Sequence, residues 1–174
     1  IAHIQVTLFL LVRRMTQRLS RLSHIFKQKG LSNFELEEYL SNEHQFIGCF
    51  SEDNLPETVQ LPATLIINTG KTKSKGEHWV TVRLNKRCCY YFDTFGIGPI
   101  EKNIKAFLGK MYDKVYYSSN CIQHVSSSFC GFYCIIFIKT VFDKASFQKF
   151  INYFHPYATL RNDLVASKIL NKVL

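Results

Sequence analysis

The sequence predicts an α+β fold, a β-sheet packed by helices, with one helix buried at its centre. Apolar and alternating segments typical of strands recur between residues 63 and 93. The segment 130–138 is almost wholly apolar, and a helix that is hydrophobic on every side is buried in a protein core. Amphipathic patterns with helical spacing follow it toward the C-terminus.

Length and composition predict one folded domain with a substantial core. The chain has 174 residues, 47% of them hydrophobic and 20% charged, which is typical of a globular protein and not of a disordered one. Its net charge of +9 is spread along the chain and favours contact with a polyanion, DNA first. A solvated basic surface without such a partner accounts for the charge equally well.

The six cysteines are too few and too irregularly spaced for a disulfide scaffold. Cys88 and Cys89 are adjacent on a predicted strand, so their side chains point to opposite faces. Cys130 and Cys134 lie one turn apart on a predicted helix. Because neither pair has the spacing of a zinc site, we expect free thiols in a reducing compartment and no metal.

Residues 1–29 differ in composition from the rest of the chain. An apolar run precedes six basic residues with no acid among them, and the helical spacing of the apolar residues predicts a basic amphipathic helix. A secretory signal has its positive charge before the apolar run, and this run is too short to cross a bilayer. A removable extension, a partner-binding helix and a membrane-surface helix all fit; we favour an extension outside a domain of residues 30–174.

The first elements of that domain are a helix and a loop. Ser32 and Glu35 have the spacing of a capping box, which predicts a helix that runs to about Leu40. The segment 46–50, with two phenylalanines around Gly48, is predicted to be a loop anchored by its aromatic rings.

The later elements alternate between strands and helices. Residues 63–68 form a predicted strand, which ends in the basic loop 71–76. Beyond residue 99 we predict a helix at 100–113, a strand at 115–123, and amphipathic helices at 147–154 and 160–174.

Two alternating segments, 78–84 and 89–93, predict a β-hairpin. A two-residue loop would place Val80 opposite Asp93, which makes His78 a diagonal neighbour of Asp93 on the same face. A four-residue loop keeps this register, whereas a three-residue loop puts the two side chains on opposite faces. The pattern therefore permits a contact between the imidazole and the carboxylate.

Cys130 lies where the buried helix is predicted to begin. The three serines 126–128 are typical N-cap residues, and unpaired backbone N–H groups at a helix N-terminus favour a thiolate. Cys134, further along, is interpreted as a small core residue. For Cys130 alone, a nucleophile and a buried structural thiol are equally good interpretations.

A nucleophilic cysteine needs a base, a group that orients the base, and donors for an oxyanion. The chain offers one of each, in the order His78, Asp93, Gln123 and Cys130. His78 would take the proton of Cys130, and Asp93 would fix the tautomer of the ring. Gln123 and the backbone N–H of Cys130 would bind the oxyanion. Each residue also has a structural interpretation; Asp93, for example, precedes a sequence compatible with a turn.

Three motifs together carry a resemblance to a known family. They are Gly76-Glu-His78-Trp79, Tyr91-Phe-Asp93-Thr-Phe95-Gly96 and Gln123-x6-Cys130-Gly131. In this order they resemble the adenovirus-type cysteine proteases and their relatives, the SUMO-specific ubiquitin-like proteases; papain-like enzymes have the cysteine first. The resemblance covers about residues 31–174. It implies a central mixed sheet packed by helices, with the nucleophile at the start of the buried helix.

The resemblance implies specific roles at the site. His78, Asp93 and Cys130 would form the catalytic triad, Gln123 would be the oxyanion donor, and Trp79 an aromatic wall of the substrate cleft. The substrate would be a virion or mobile-element precursor protein, of the Maverick/Polinton kind in the latter case, cleaved after glycine and often after Gly-Gly. Two alternatives remain: a protease that deconjugates SUMO- or ubiquitin-like proteins, and a non-catalytic DNA-binding module on a protease scaffold.

The family also suggests partners. Its adenoviral members are activated by DNA and by a capsid-derived peptide, so both are candidate activators here, although the chemistry itself needs no cofactor. The peptide is attached there through a cysteine well upstream of the glutamine, whereas Cys121 lies two residues before Gln123, so we do not transfer that role. The acid is Asp, as in the SUMO proteases, where the adenoviral enzyme has Glu. We expect a monomer in the nucleus or the virion.

Overall fold

The computed structural model describes residues 27–74 and 77–173, with residues 171–173 described by their backbone alone. The helix predicted within residues 1–29 lies almost wholly outside the described residues, as do the last two residues of the basic loop 71–76. The boundary of the N-terminal extension therefore stays a prediction. None of the helices within the described ranges combines the length and hydrophobicity that a membrane crossing needs.

A five-stranded mixed sheet forms the centre of the described part, as predicted. The strands lie side by side in chain order. The outer pairs β1–β2 and β4–β5 are parallel, and the inner pairs β2–β3 and β3–β4 are antiparallel. The strands are β1 Phe46–Ser51, β2 Ala63–Asn68, β3 Trp79–Leu84, β4 Cys89–Phe92 and β5 Val115–Tyr116.

Five helices accompany the sheet in the described residues, which gives the predicted α+β fold. The capping box at the first of them is confirmed: the Ser32 backbone N–H donates to Glu35 Oε2 at 2.7 Å, and the Glu35 backbone N–H donates to Ser32 Oγ at 3.3 Å. The helices are α1 Asn33–Tyr39, α2 Lys102–Gly109, α3 Cys130–Thr140, α4 Lys144–Tyr153 and α5 Thr159–Val173.

The β3–β4 hairpin has the predicted register. Leu84 pairs with Cys89 and Thr81 with Phe92, as a two-residue loop requires. The turn is closed by the Asn85 backbone N–H, which donates to the Cys88 carbonyl at 3.0 Å. The start of β3 and the end of β4 therefore lie next to each other.

Two predictions for the sheet were wrong in detail. The segment predicted as a loop at 46–50 is the edge strand β1, whose register shifts between Phe46 and Cys49 around Gly48, a residue with φ of +125°. This irregularity removes the period-two pattern that would have indicated a strand. The strand predicted at 115–123 ends at Tyr116, because the N–H groups of residues 122 and 123 donate to the Thr94 carbonyl and not to a neighbouring strand.

The predicted burial of the central helix is confirmed, since every residue of α3 from Cys130 to Ile138 is buried. Phe137 stacks on Phe92 of β4 at 5.0 Å between ring centroids and meets Phe150 of α4 edge-on at 5.4 Å. The other face of the sheet packs on α2. The sheet is thus enclosed between α2 and the group formed by α3, α4 and α5.

Replacing Phe137 with alanine should lower the free energy of unfolding by about 3–5 kcal/mol, because a ring buried between β4 and α4 would leave a cavity. Urea denaturation measures the loss. The matched control is Phe34→Ala on α1, where the ring is 77% exposed and the change should stay within about 0.5 kcal/mol. Equal losses in the two variants would contradict the placement of α3 in the core.

Candidate active site

Cys130 is the first residue of α3, as predicted, but the serines before it do not cap the helix. The N-cap residue is Phe129, with φ of −89° and ψ of −2°, and no side chain bonds to the first turn. The serine N-cap predicted at 126–128 is therefore wrong, because Phe129 lies between these residues and the helix. The backbone N–H groups of the first turn are left without a capping side chain, which suits a site that binds developing negative charge.

Gly131 lets the helix start lie close against its neighbours. A Cβ atom at this position would lie 3.2 Å from Leu31 Cβ, and 3.4 Å from both Leu36 Cδ2 and Trp79 Cδ1. Three such contacts from separate segments leave little room for adjustment. A side chain at residue 131 would therefore require these neighbours to shift by a few tenths of an ångström.

His78 and Asp93 are in contact, as the hairpin register predicts. His78 Nε2 lies 2.8 Å from Asp93 Oδ1. The same carboxylate oxygen accepts the Phe95 backbone N–H at 2.8 Å, and the Phe95 ring packs on the imidazole at 4.7 Å between centroids. Asp93 is 6% exposed and stands behind the histidine. The imidazole is thus held both by a hydrogen bond and by a ring contact.

His78 lies between Asp93 and Cys130. Burial disfavours the imidazolium, but hydrogen bonds to Asp93 and Cys130 and the charges of both groups favour it, and together they raise the pKa of His78 to about 9. Because Nε2 faces Asp93, Nδ1 is the ring nitrogen left for the sulfur. This is the arrangement in which an imidazole can take a proton from a thiol and keep it.

Gln123 is buried and its carboxamide is fixed at both ends. Its Oε1 accepts the Thr94 hydroxyl at 2.7 Å, and its Nε2 donates one hydrogen to the Ser127 carbonyl at 2.8 Å. The second hydrogen on Nε2 is not used by either bond, and Gln123 lines the same cleft as Cys130. Thr94 was missed in the sequence; its place directly after Asp93 was the only signal.

A cleft of about 850 Å³ contains the predicted site residues His78, Trp79, Gln123 and Cys130. The Trp79 indole N–H donates to the Leu31 carbonyl at 2.8 Å, which fixes the ring as part of the wall. The structure therefore brings all five predicted site residues together, four at the surface of the cleft and Asp93 behind it. Their catalytic roles stay predictions.

Burial disfavours the thiolate form of three other cysteines. Burial raises the pKa of Cys49 and of Cys89 to about 12, and burial raises that of Cys134 well above its ordinary value. No cysteine is paired with another. Within the described ranges no group of three or more potential metal ligands is found.

His78 should titrate near pH 9 when its ring resonances are followed by NMR. Because this pKa lies above the ordinary value of 6.5, the stability gained from the charged ring is complete below about pH 6.5 and lost as the pH rises through 9. Asp93→Asn keeps an oxygen acceptor but removes the charge, and should lower the pKa of His78 by about one unit or more. Glu57→Gln, at an exposed acid, is the control; equal titrations in all three proteins would contradict the contact.

Comparison with known proteins supports the resemblance that the motifs predicted. No protein-family model matches the chain. The chain is 34% identical over 74 residues to the protease of Fowl adenovirus A serotype 1, an overlap that takes in 38% of this chain and 35% of the adenoviral protein. The match thus spans about a third of that protein. A crystal structure of an ASFV protease overlaps 78% of this chain and 68% of its own, with a TM-score of 0.45 and 20% identity.

The order of the strands and helices establishes the α+β fold by itself. The sequence match is to one adenoviral protein. It confirms the predicted resemblance: this chain is similar in sequence to an adenovirus protease.

Proposed function

We propose that the protein is a cysteine endopeptidase whose nucleophile is Cys130. The observation that carries this proposal is the position of His78, which is hydrogen-bonded to Asp93 and lies next to Cys130 at the surface of an open cleft. A pKa of about 9 keeps the imidazole protonated at neutral pH. A charged ring beside a sulfur at a helix start favours the thiolate that such chemistry needs.

The first half of the reaction forms a thioester. His78 holds the proton of Cys130, and the thiolate attacks the carbonyl carbon of the scissile peptide bond. The negative charge on the carbonyl oxygen is met by the free Nε2 hydrogen of Gln123 and by the backbone N–H of Cys130. His78 then gives its proton to the leaving amine, and the C–N bond breaks.

The second half restores the thiolate. His78, now neutral, takes a proton from a water molecule, and the resulting hydroxide attacks the thioester carbonyl. The same two donors bind the oxyanion again, and the C–S bond breaks. The new carboxylic acid leaves and His78 keeps the proton that it took from water, so that the thiolate and the imidazolium are both restored and no external cofactor enters either half of the reaction.

The proposed substrate is a precursor protein of a virus or mobile element, cleaved after glycine. Similarity to an adenovirus protease supports this class of substrate. A wall made by Trp79, with its indole pinned to Leu31, also supports it, because a fixed ring beside the base restricts the space near the scissile bond. Glycine has no side chain to accommodate there.

Cys130→Ala should lower the hydrolysis of an internally quenched Gly-Gly peptide by at least roughly 10⁴-fold, since it removes the nucleophile. The matched control is Cys88→Ala, at a half-buried thiol that contacts Tyr90, where the rate should stay within about twofold. Hydrolysis that survives in Cys130→Ala would exclude the proposal. Faster labelling by a SUMO- or ubiquitin-derived vinyl sulfone than turnover of the peptide would favour deconjugation instead.

We also propose that DNA binds the basic surface beside the cleft. Lys71 and Lys73 are exposed, and Lys71 lines the rim of the cleft that contains Cys130. A net charge of +9 supports binding of a polyanion without sequence preference.

Affinity for a fluorescent duplex should fall steeply with salt and should not depend on its sequence. Lys71→Gln with Lys73→Gln should reduce the slope of log affinity against log salt by about 1 to 2. The matched pair Lys102→Gln with Lys105→Gln, at exposed positions of α2, should change it less. Absence of binding at low salt, measured by anisotropy, would exclude this role.

A further inference from the structure

A buried carboxylate lies beneath the turn that follows Gln123. Asp163 of α5 is fully buried. Its Oδ2 accepts the His124 backbone N–H at 3.3 Å, and its Oδ1 accepts the Tyr133 hydroxyl at 2.9 Å. The Ser127 hydroxyl donates to the His124 carbonyl at 3.0 Å in the same turn. The proposed reaction uses Asp163 in no step, so its burial calls for another explanation.

The contacts of Asp163 join the two segments that carry the oxyanion donors. His124 directly follows Gln123, which supplies the carboxamide. Tyr133 lies one turn after Cys130 on α3, which supplies the backbone N–H. The carboxylate thus bridges the turn and the helix from below, and the distance between the two donors depends on where it holds them.

A second residue of α5 supports the same segment. Asn162 Nδ2 donates to the Ile122 carbonyl at 3.0 Å and to the His155 carbonyl at 2.7 Å. Its Oδ1 accepts the His155 backbone N–H at 3.0 Å. Residues on both sides of Gln123 are therefore bound to neighbouring positions of one helix, Ile122 to Asn162 and His124 to Asp163.

A buried carboxylate is expensive to maintain unless its hydrogen bonds are made. Burial raises the pKa of Asp163, against the hydrogen bonds from Ser127, Tyr133 and His124 that lower it. Burying an uncharged apolar residue in the core would carry no such desolvation penalty. Such a residue could not, however, bind the backbone of the turn and the hydroxyl of α3 at the same time.

We propose that Asp163 is a positioning residue that sets the spacing of the two oxyanion donors, the Gln123 carboxamide and the Cys130 backbone N–H. This proposal rests on the proposed function. Donors in such a site act only when they are held within about half an ångström of the position of the developing charge. Loosening the turn against α3 would therefore weaken the binding of the transition state more than the binding of the substrate.

The test is Asp163→Asn. The asparagine side chain has one oxygen acceptor, whereas both oxygens of the Asp163 carboxylate accept a hydrogen bond. The expected result is a roughly 10- to 100-fold fall in kcat on the Gly-Gly peptide, with KM changed less than about threefold. In a Gln123→Ala background, the same substitution should change kcat by less than about twofold, because the donor that it positions is already gone. Alkylation of Cys130 by iodoacetamide uses no oxyanion donor and should keep its rate.

The matched control is Leu170→Ala, at a buried residue two turns further along α5. It should lower the denaturation midpoint but keep kcat. The proposal would be overturned if the effects of Asp163→Asn and Gln123→Ala multiplied in the double variant. A kcat unchanged by Asp163→Asn would also overturn it.

Hydrogen exchange separates this proposal from the proposed function, because it needs no turnover. Asp163→Asn should speed exchange of the backbone amides in residues 122–128 by at least tenfold, and Leu170→Ala should not. Unchanged exchange in Asp163→Asn would overturn the positioning role whatever the activity. Faster exchange in Asp163→Asn, found together with an unmodified protein that cleaves no peptide, would support the positioning role of Asp163. It would exclude the proposed protease activity.

Discussion

Burial of α3 is the constraint on which the site depends. The helix is apolar on every side, so it can only be accommodated between the sheet and the helices α4 and α5. Its first residue then emerges at the edge of the core, where β3 begins. Cys130 is consequently positioned by the packing of residues such as Phe137, two turns away on the same helix. The proposed nucleophile, placed in this way, needs no loop to hold it.

The register of the β3–β4 hairpin determines the position of His78, the residue next to the Cys130 sulfur. Antiparallel pairing brings the start of β3 beside the end of β4, and the two-residue turn puts His78 and Asp93 on the same face. A slip of one residue would separate them. The rise in the pKa of His78 from 6.5 to about 9 corresponds to roughly 3 kcal/mol in favour of the charged ring, which is the net effect after burial has opposed it.

Local sequence patterns predicted the parts of the site that regular elements carry. Alternation gave the register that joins His78 to Asp93, and the apolar run gave the helix that begins at Cys130. The same reasoning missed β1, because the shift around Gly48 removes the alternation. It also missed Thr94 and Asp163, whose partners are 29 and 39 residues away in the chain. No periodicity encodes a hydrogen bond between irregular segments, so these residues needed the tertiary structure.

The layer behind the cleft contains a group of buried polar residues. Thr94, Gln123 and Asp163 are all buried, and each makes a hydrogen bond to another part of the chain. Apolar residues would serve stability as well or better, since burial of polar groups is at best compensated by their hydrogen bonds. Directional bonds, however, fix an amide in one orientation, which packing alone does not. Thr94 holds the oxygen of the carboxamide and Ser127 holds its nitrogen. The polar layer therefore orients the proposed oxyanion donor, while the apolar core holds the proposed nucleophile.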